Sequence, residues 1–259
     1  MDYDKYVLDA NKAWGYIRSV GDTKKSIQEV ADKRGYVNGN PILNVLKRIQ
    51  ITYASSDSNW EPLRTITTDL ALFADSGRFL LEDRYILPVR NFNGDILAFI
   101  GWYPDKKKYI TTPSKYIKKD TLFFNMETVF DETKNSVVVI TEGIFDTLSA
   151  EALGYRAVGM MGTTLGRPKE ILYKCFGDRF IAIPDADKQG RRIIANDDWK
   201  LPSTGKYVKW SGLTADIGTG ESIHIKDLDD MLKYYNAESI RFIMDKALLS
   251  SHYQKVVTL

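Results

Sequence analysis

Six carboxylates in three groups dominate the second half of the chain: Glu142 with Asp146, Asp185 with Asp187, and Asp227 with Asp229. Within each group the spacing is two or four residues, which lets two acids at the start of a turn or helix face the same space. Like charges brought together repel and raise one another's pKa unless a divalent cation neutralises them. An oxygen-only donor set without a nearby His or Cys suits Mg2+ or Mn2+ rather than zinc. The chemistry such a group supports is metal-assisted work on phosphate esters.

The elements around the acids explain how they would meet. Val137 to Ile140 is a β-branched run that reads as a buried central strand, ending at Thr141-Glu142-Gly143, where the chain must turn into a helix that closes near Gly154. Phe180 to Pro184 is a second apolar run that delivers Asp185 and Asp187, and Gly190 permits a tight turn into another helix. Ser222 to Ile225 alternates like a strand and leads directly into Asp227 and Asp229, so all three groups are expected at strand ends. In an open parallel α/β sheet, ligands bind outside the carboxyl ends of the strands, which places the acids in one crevice.

The first half reads differently. An apolar pattern through Tyr6, Leu8, Ala13, Trp14 and Ile17 predicts a short helix. Asp22 then caps a helix running to about Lys33, with Gly35 as its stop, and Asn40-Pro41 opens another. Asn93-Gly94 marks a hairpin between Arg84–Val89 and Asp95–Gly101. From Lys106 to Lys119 lysines alternate with Tyr109 and Tyr116, a composition that suits a single nucleic-acid strand: ammonium groups for phosphates, rings for stacking on bases. Farther on, Pro168 to Gly177 and the segment from Asn236 (AESIRFIMDKALLS) read as helices. The last of these has Ile240, Ile243, Met244 and Leu248 as its buried stripe.

The 259 residues are 44% hydrophobic and 27% charged, with a net charge of +2, the profile of an ordinary globular protein. The chain has neither an apolar stretch of the ~20 residues a membrane helix needs nor a signal-peptide pattern, so a cytoplasmic location away from membranes is expected. One cysteine, Cys175, and two separated histidines, His224 and His252, cannot assemble a zinc site of the usual type.

The sequence of elements Glu142-Gly143-x-x-Asp146, Asp185-x-Asp187-x-x-Gly190 and Asp227-x-Asp229 resembles the TOPRIM domain shared by primases, topoisomerases and some nucleases. The flanks narrow the resemblance to the catalytic core of DnaG-type bacterial primases. Lys33-Arg34-Gly35 is similar to that family's Lys-Arg-Gly-Leu element, and Asp57-x-Asn59-Trp60 with Leu63 to its Asp-x-Trp-x-x-Leu. Arg84-Tyr85-Ile86-Leu87-Pro88-Val89 stands where the family has Arg-Ile-x-Phe-Pro-Ile. Lys108-Tyr109-Ile110-Thr111-Thr112-Pro113 stands where it has Lys-Tyr-Leu-Asn-Ser-Pro, and Met161 to Gly166 is close to its Leu-Gly-Thr loop.

The resemblance implies an α/β fold: an α+β N-terminal subdomain over residues 1–135, a TOPRIM, Rossmann-like subdomain with a mainly parallel sheet over 136–235, and a C-terminal helix and tail over 236–259. It implies a primer-synthesising nucleotidyltransferase that uses NTPs, two or more Mg2+ or Mn2+ ions and a single-stranded DNA template. In that reading Glu142 is the general acid or base, Asp185, Asp187, Asp227 and Asp229 bind metal together with Glu142, and Asp146 assists. Arg34, Arg84, Lys108 and Lys119 would contact the template, and Gly162, Thr163 and Arg191 the nucleotide. The chain departs from the pattern in two places, Trp102-Tyr103 in place of a family arginine and Phe92 in place of a basic hairpin residue, so the basic ridge is expected to be thin. No segment resembling the family's zinc-binding module or helicase-binding domain accompanies the core. A stripped-down primase of a phage or mobile element is therefore expected, relying on a replisome partner such as a helicase or a separate template-recognition module. A TOPRIM nuclease and a non-catalytic single-strand-binding module are the competing readings; a topoisomerase would need a further domain for its nucleophilic tyrosine.

Overall fold

The computed structural model describes residues 2–66, 70–106, 108–112, 117, 121–161, 170, 173–174, 180–203, 205–216, 221–249 and 256–258, with side chains given only to residue 246 in the last helix. Two compact units emerge: Met1–Asn38 with Leu43–Lys119, and Gly39–Ile42 with Asp120–Leu259.

The first unit begins with helix α1 (Tyr3–Val20), 18 residues long and more extended than its apolar pattern implies. Asp2 caps it by accepting from the Asp4 and Lys5 N–H groups, and Tyr6, Ala10, Ala13, Trp14 and Ile17 form its buried face. Helix α2 (Thr23–Arg34) is bounded as its sequence dictates. The Asp22 side chain accepts from Lys25 N–H, and Gly35 closes the helix in the left-handed region at φ 78°. Helix α3 (Ile42–Ile49) starts after Asn40, whose Oδ1 accepts from Ile42 N–H at 3.1 Å. Strand β1 (Thr52–Ala54) and helix α4 (Glu61–Ile66) follow, and then β2 (Arg84–Arg90), β3 (Ile96–Tyr103) and β4 (Lys108–Thr111) complete an antiparallel sheet in the order β1-β2-β3-β4. The Asn93-Gly94 turn joins β2 to β3, with Gly94 at φ 86°. Helix α1 covers this sheet through an aromatic core that includes Trp14, Trp60, Phe79 and Phe99.

The second unit is built on six strands in the order β12-β9-β8-β6-β7-β5. Strand β5 (Phe123–Phe124) is the antiparallel edge; β6 (Asn135–Thr141) is central, and helix α5 (Ile144–Ala152) crosses from it to β7 (Tyr155–Met160). The chain then returns to the other side of β6 as β8 (Phe180–Ile183), and helix α6 (Lys188–Asn196) leads to β9 (Lys206–Lys209). A hairpin of β10 (Thr214–Asp216) and β11 (Ser222–His224), helices α7 (Leu228–Tyr234) and α8 (Ala237–Leu249), and strand β12 (Val256–Thr258) finish the unit. All four buried positions of β8 and the last four of β6 are apolar or, at Thr141, hydrogen-bonded, as a strand covered on both faces requires. The molecule is thus α/β: an α+β first unit and a mainly parallel second one.

Two features differ from the sequence reading. Residues 222–224 do form a strand, but in an antiparallel pair with β10 outside the parallel sheet. Their side chains are exposed or half-buried, so nothing favours burial between layers. The C-terminal tail, for its part, returns as β12 and pairs in parallel with β9, burying Val257. Ile240 and Met244 are buried on α8 and Ile243 is half-buried, while the Leu248 side chain, Pro168, Cys175 and Gly177 lie outside the described residues.

Gly190 sits in the first turn of α6 because a side chain there has no room: a Cβ would collide with the Asp185 carbonyl oxygen. Gly154 is different, held at φ 90° with open space around it. Gly190→Ala is therefore expected to cost roughly 2–3 kcal/mol, and Gly154→Ala about 1 kcal/mol of backbone strain alone. Urea melts of the two variants measure the difference, and equal losses would remove the steric account of Gly190.

Candidate active site

The sheet order reverses at β6: the chain leaves it toward β7 and comes back to its opposite side as β8. Such a switch point opens a crevice at the carboxyl ends of the two strands. Glu142 follows β6 and Asp185 follows β8, so the first two acid groups stand on either side of it. The third group arrives by another route. Ala186 N–H donates to the Lys226 carbonyl at 2.7 Å, which ties the segment before Asp227 to the end of β8. Asp229 N–H donates to Asp146 Oδ1 at 3.0 Å, which ties the start of α7 to α5. The structure thereby brings Glu142, Asp146, Asp185, Asp187, Asp227 and Asp229 into one electrostatically linked group, although only two of the three pairs are delivered by strands of the parallel sheet.

Main-chain amides hold three of these carboxylates, Asp146, Asp187 and Asp227. Asp187 caps α6 by accepting from Gly190 N–H at 2.8 Å, and Asp227 caps α7 by accepting from Asp230 N–H at 2.7 Å. In both, a backbone amide fixes one carboxylate oxygen. The Asp146 carboxylate folds back over Gly143 so closely that a Cβ at that position would strike Oδ2. Glu142 Oε2 is buried and has no hydrogen-bond partner.

Burial and mutual repulsion work in the same direction. Burial first, then the Glu142, Asp227 and Asp187 charges, push the Asp185 carboxyl up to about 7. Burial, followed by Asp227, Asp185 and Asp229, raises Asp146 well above the carboxylate range. Burial raises Asp227 and, with the Asp187 charge, Glu142. Four carboxylates raised by burial and neighbouring charge, one with an oxygen buried without a partner, fit a divalent cation. The carboxylate oxygens of Asp227, Asp229 and Asp230 also lie within 4.8 Å of one another, close enough to share an ion.

Asp230 and Lys233 are functional candidates that sequence reasoning missed. The Lys233 ammonium lies 2.7 Å from Asp229 Oδ2 and 3.1 Å from Asp230 Oδ1. Asp229 is 1% exposed, so this ammonium compensates a buried charge. The signal was present as acid-to-lysine spacings of i,i+4 and i,i+3 on one helix.

In the first unit, Arg34 ends α2, Arg84 begins β2, and Lys108 begins β4 opposite Tyr103 at the end of β3, so the three share one end of the antiparallel sheet. The residues standing in for a family arginine serve as platforms. The Arg34 guanidinium lies 6.0 Å from the Trp102 ring, and Arg84 and Lys106 lie 5.5 and 5.2 Å from the Tyr103 ring. Arg84 Nε and Nη1 are buried without partners. The same end holds a cavity of about 560 Å3 lined by Glu29, Asp32, Asp83 and Asp105 as well as Lys33, so its charge is mixed. Arg191 is exposed in α6, its Nη1 donating to the Ala186 carbonyl at 3.0 Å. Lys119, Gly162 and Thr163 lie outside the described residues.

Residues 139–232 match a family model described as Toprim-like, so the second unit contains a Toprim-like domain. Compared by sequence with curated proteins, the chain matches none. Compared by structure, it is similar to the RNA polymerase domain of Mycobacterium tuberculosis primase DnaG, with a TM-score of 0.72 and 17% identity over 95% of this chain and 84% of that one. It is similar to a DnaG primase catalytic domain bound to single-stranded DNA (TM-score 0.70, 18% identity, 96% and 82% of the two chains) and to the Escherichia coli primase catalytic core (0.65, 18%, 95% and 82%). What is shared at this identity is the fold: that of DnaG primase catalytic cores, extending through both units. Among the described residues no helix is long and apolar enough to cross a membrane.

Asp185 moves from its ordinary 3.8 up to about 7 on folding, so the folded state binds a proton that the unfolded state releases. That contribution to stability is complete below about pH 4 and disappears as pH rises through 7. The Tm of the protein in chelator is therefore expected to fall between pH 5 and 8. Asp185→Asn should flatten the profile and be more stable than the parent at pH 8, by roughly 1–3 kcal/mol. A flat profile in the parent would contradict the burial and repulsion described. Lys233→Met, which strands the Asp229 charge, is expected to cost about 3–5 kcal/mol in chelator. Differential scanning fluorimetry with and without Mn2+ should show a larger ion-dependent recovery than in the parent.

Proposed function

We propose that the chain is a primase catalytic core that synthesises short RNA primers on single-stranded DNA by metal-dependent nucleotidyl transfer. The observation that carries this reading is the gathering of seven acids, Asp230 included, at the switch point of a sheet whose fold is that of DnaG catalytic cores. In the reaction the primer 3'-oxygen bonds to the α-phosphorus of an NTP and the bond to the β-phosphate oxygen breaks, releasing pyrophosphate.

Glu142, Asp185, Asp187 and Asp227 would hold Mg2+ or Mn2+, two or more ions in all, through the oxygens not engaged by main chain, with Asp229 available beside Lys233. Ions about 4 Å apart lower the pKa of an attacking hydroxyl and neutralise charge on a leaving group. Glu142, its pKa raised by burial and by the Asp187 charge, would take the 3'-hydroxyl proton. Asp146 positions α7, and with it Asp227 and Asp229, by accepting from Asp229 N–H.

Arg34, Arg84, Lys108 and Lys119 would bind template phosphates. The unpartnered buried N–H groups of Arg84 support this, since an anion satisfies them. The carboxylates lining the neighbouring cavity oppose it, so unaided template affinity would be low and a replisome partner would supply template capture. The setting this implies is the cytoplasm, where NTPs and replicating DNA meet.

Primer synthesis from NTPs on single-stranded DNA is expected with Mg2+ or Mn2+, and Glu142→Gln and Asp185→Ala should each lower it at least about a hundredfold. Undiminished synthesis in both would remove the assignment, and nicking of plasmid DNA without NTPs would replace it with a nuclease. Arg84→Ala should weaken single-strand binding roughly tenfold and reduce the salt slope by about 0.7. Filter binding across 50–200 mM salt measures both quantities.

A further inference from the structure

Immediately beside Asp185 lies a second, small cavity of about 130 Å3. Its walls are Trp210 and Ile194, and its charged and polar lining consists of Asp185, Arg191, Lys209 and His224. The nitrogen donors come from three elements: the first turn of α6, the end of β9 and the end of β11. Ligand pockets for whole small molecules occupy roughly 300–1,000 Å3, so this space takes only part of a nucleotide.

The lining says which part. Trp210 is turned to serve as a wall, because its indole N–H donates to the Pro184 carbonyl at 2.7 Å, and it offers no hydrogen bond to a base. Arg191 is anchored by donating to the Ala186 carbonyl and retains further N–H groups. Lys209 and His224 have no ion-pair partner among the described residues, and no ion pair joins Lys209 or Arg191 to Asp185 even though they line one cavity with it. Lys233 shows what neutralisation looks like in this site, an ammonium 2.7 Å from its carboxylate. The cations around the small cavity form no such ion pair with Asp185 and keep their N–H donors for another anion.

We propose that Arg191, Lys209 and His224 form the receptor for the β- and γ-phosphates of the incoming NTP, and that pyrophosphate leaves from it. This rests on the nucleotidyl-transfer reading and gives that site a direction, with the leaving group on the β9 side of Asp185. Three donors from separate elements lining one small cavity suit a multiply charged phosphate group.

The test is titration of the full chain with inorganic pyrophosphate, followed by calorimetry in chelator and in Mg2+, alongside NTP kinetics in primer synthesis. Lys209→Gln and His224→Gln change exposed side chains, and an unchanged Tm confirms their folding. Each should weaken pyrophosphate binding roughly tenfold and raise KM for NTP by a similar factor, with kcat and single-strand affinity little changed. Pyrophosphate affinity and KM equal to the parent's in both variants would overturn the proposal while leaving primer synthesis intact. A parent that binds pyrophosphate, with loss in the variants, yet makes no primers would keep the anion receptor and remove the reaction assigned to it.

Discussion

Everything in the second unit answers one electrostatic problem: carboxylates that repel one another must be kept together in a partly buried crevice. The repulsion and the burial penalty both favour protonation or separation. Main-chain geometry resists separation. Two acids are locked as helix caps, a third is pinned by the amide of a fourth, and the Ala186–Lys226 hydrogen bond joins the segments that carry them. The site is therefore preorganised by groups that would exist in any folded sheet-and-helix structure, and needs few additional side chains to hold it.

That arrangement also explains why so much of the site was legible in sequence. Glycine in Glu142-Gly143-x-x-Asp146 is present because the Asp146 carboxylate occupies the space of its side chain, and glycine in Asp185-x-Asp187-x-x-Gly190 because Asp185 O occupies another. Short-range constraints of this type leave a local pattern. So do the Asp22 cap, the Gly35 stop and the Asn93-Gly94 turn, each of which falls where its residue types put it. What escaped notice is nonlocal. The Asn40 amide donates to Leu232 O across 192 positions, β12 adds to the sheet edge after α8, and residues 222–224 pair with β10 instead of a parallel neighbour. Nothing in three exposed or half-buried residues specifies which partner they choose. Lys233 was local and readable, yet in an acidic segment a lone lysine is indistinguishable from a solvated one until Asp229 is known to be buried.

The first unit shows a substitution whose effect depends on where the replaced charge goes. Trp102 and Tyr103 remove a cation from the expected ridge, but their rings collect three others, from α2, β2 and the turn after β3. A guanidinium resting on a ring loses part of its hydration while keeping in-plane N–H groups for phosphate, so charge has been exchanged for orientation. The tyrosine-lined cavity nearby carries four carboxylates, and these would lower the long-range attraction for any polyanion approaching the three cations.

Positive charge is used in two different ways around the acids, and the contrast orients the site. On the α7 side, Lys233 closes on Asp229 and Asp230 and consumes their charge internally. On the β9 side, Arg191, Lys209 and His224 line a cavity with Asp185 without an ion pair to it among the described residues. Glu142, with an unpartnered buried oxygen, and the unanchored oxygens of Asp187 and Asp227 lie within the same charge-linked group. A phosphate approaching this group meets repulsion wherever carboxylates are uncompensated and attraction where donors remain unspent. The potential across the crevice is therefore graded, and the grading follows from which lysine lies within bonding distance of an acid rather than from net charge.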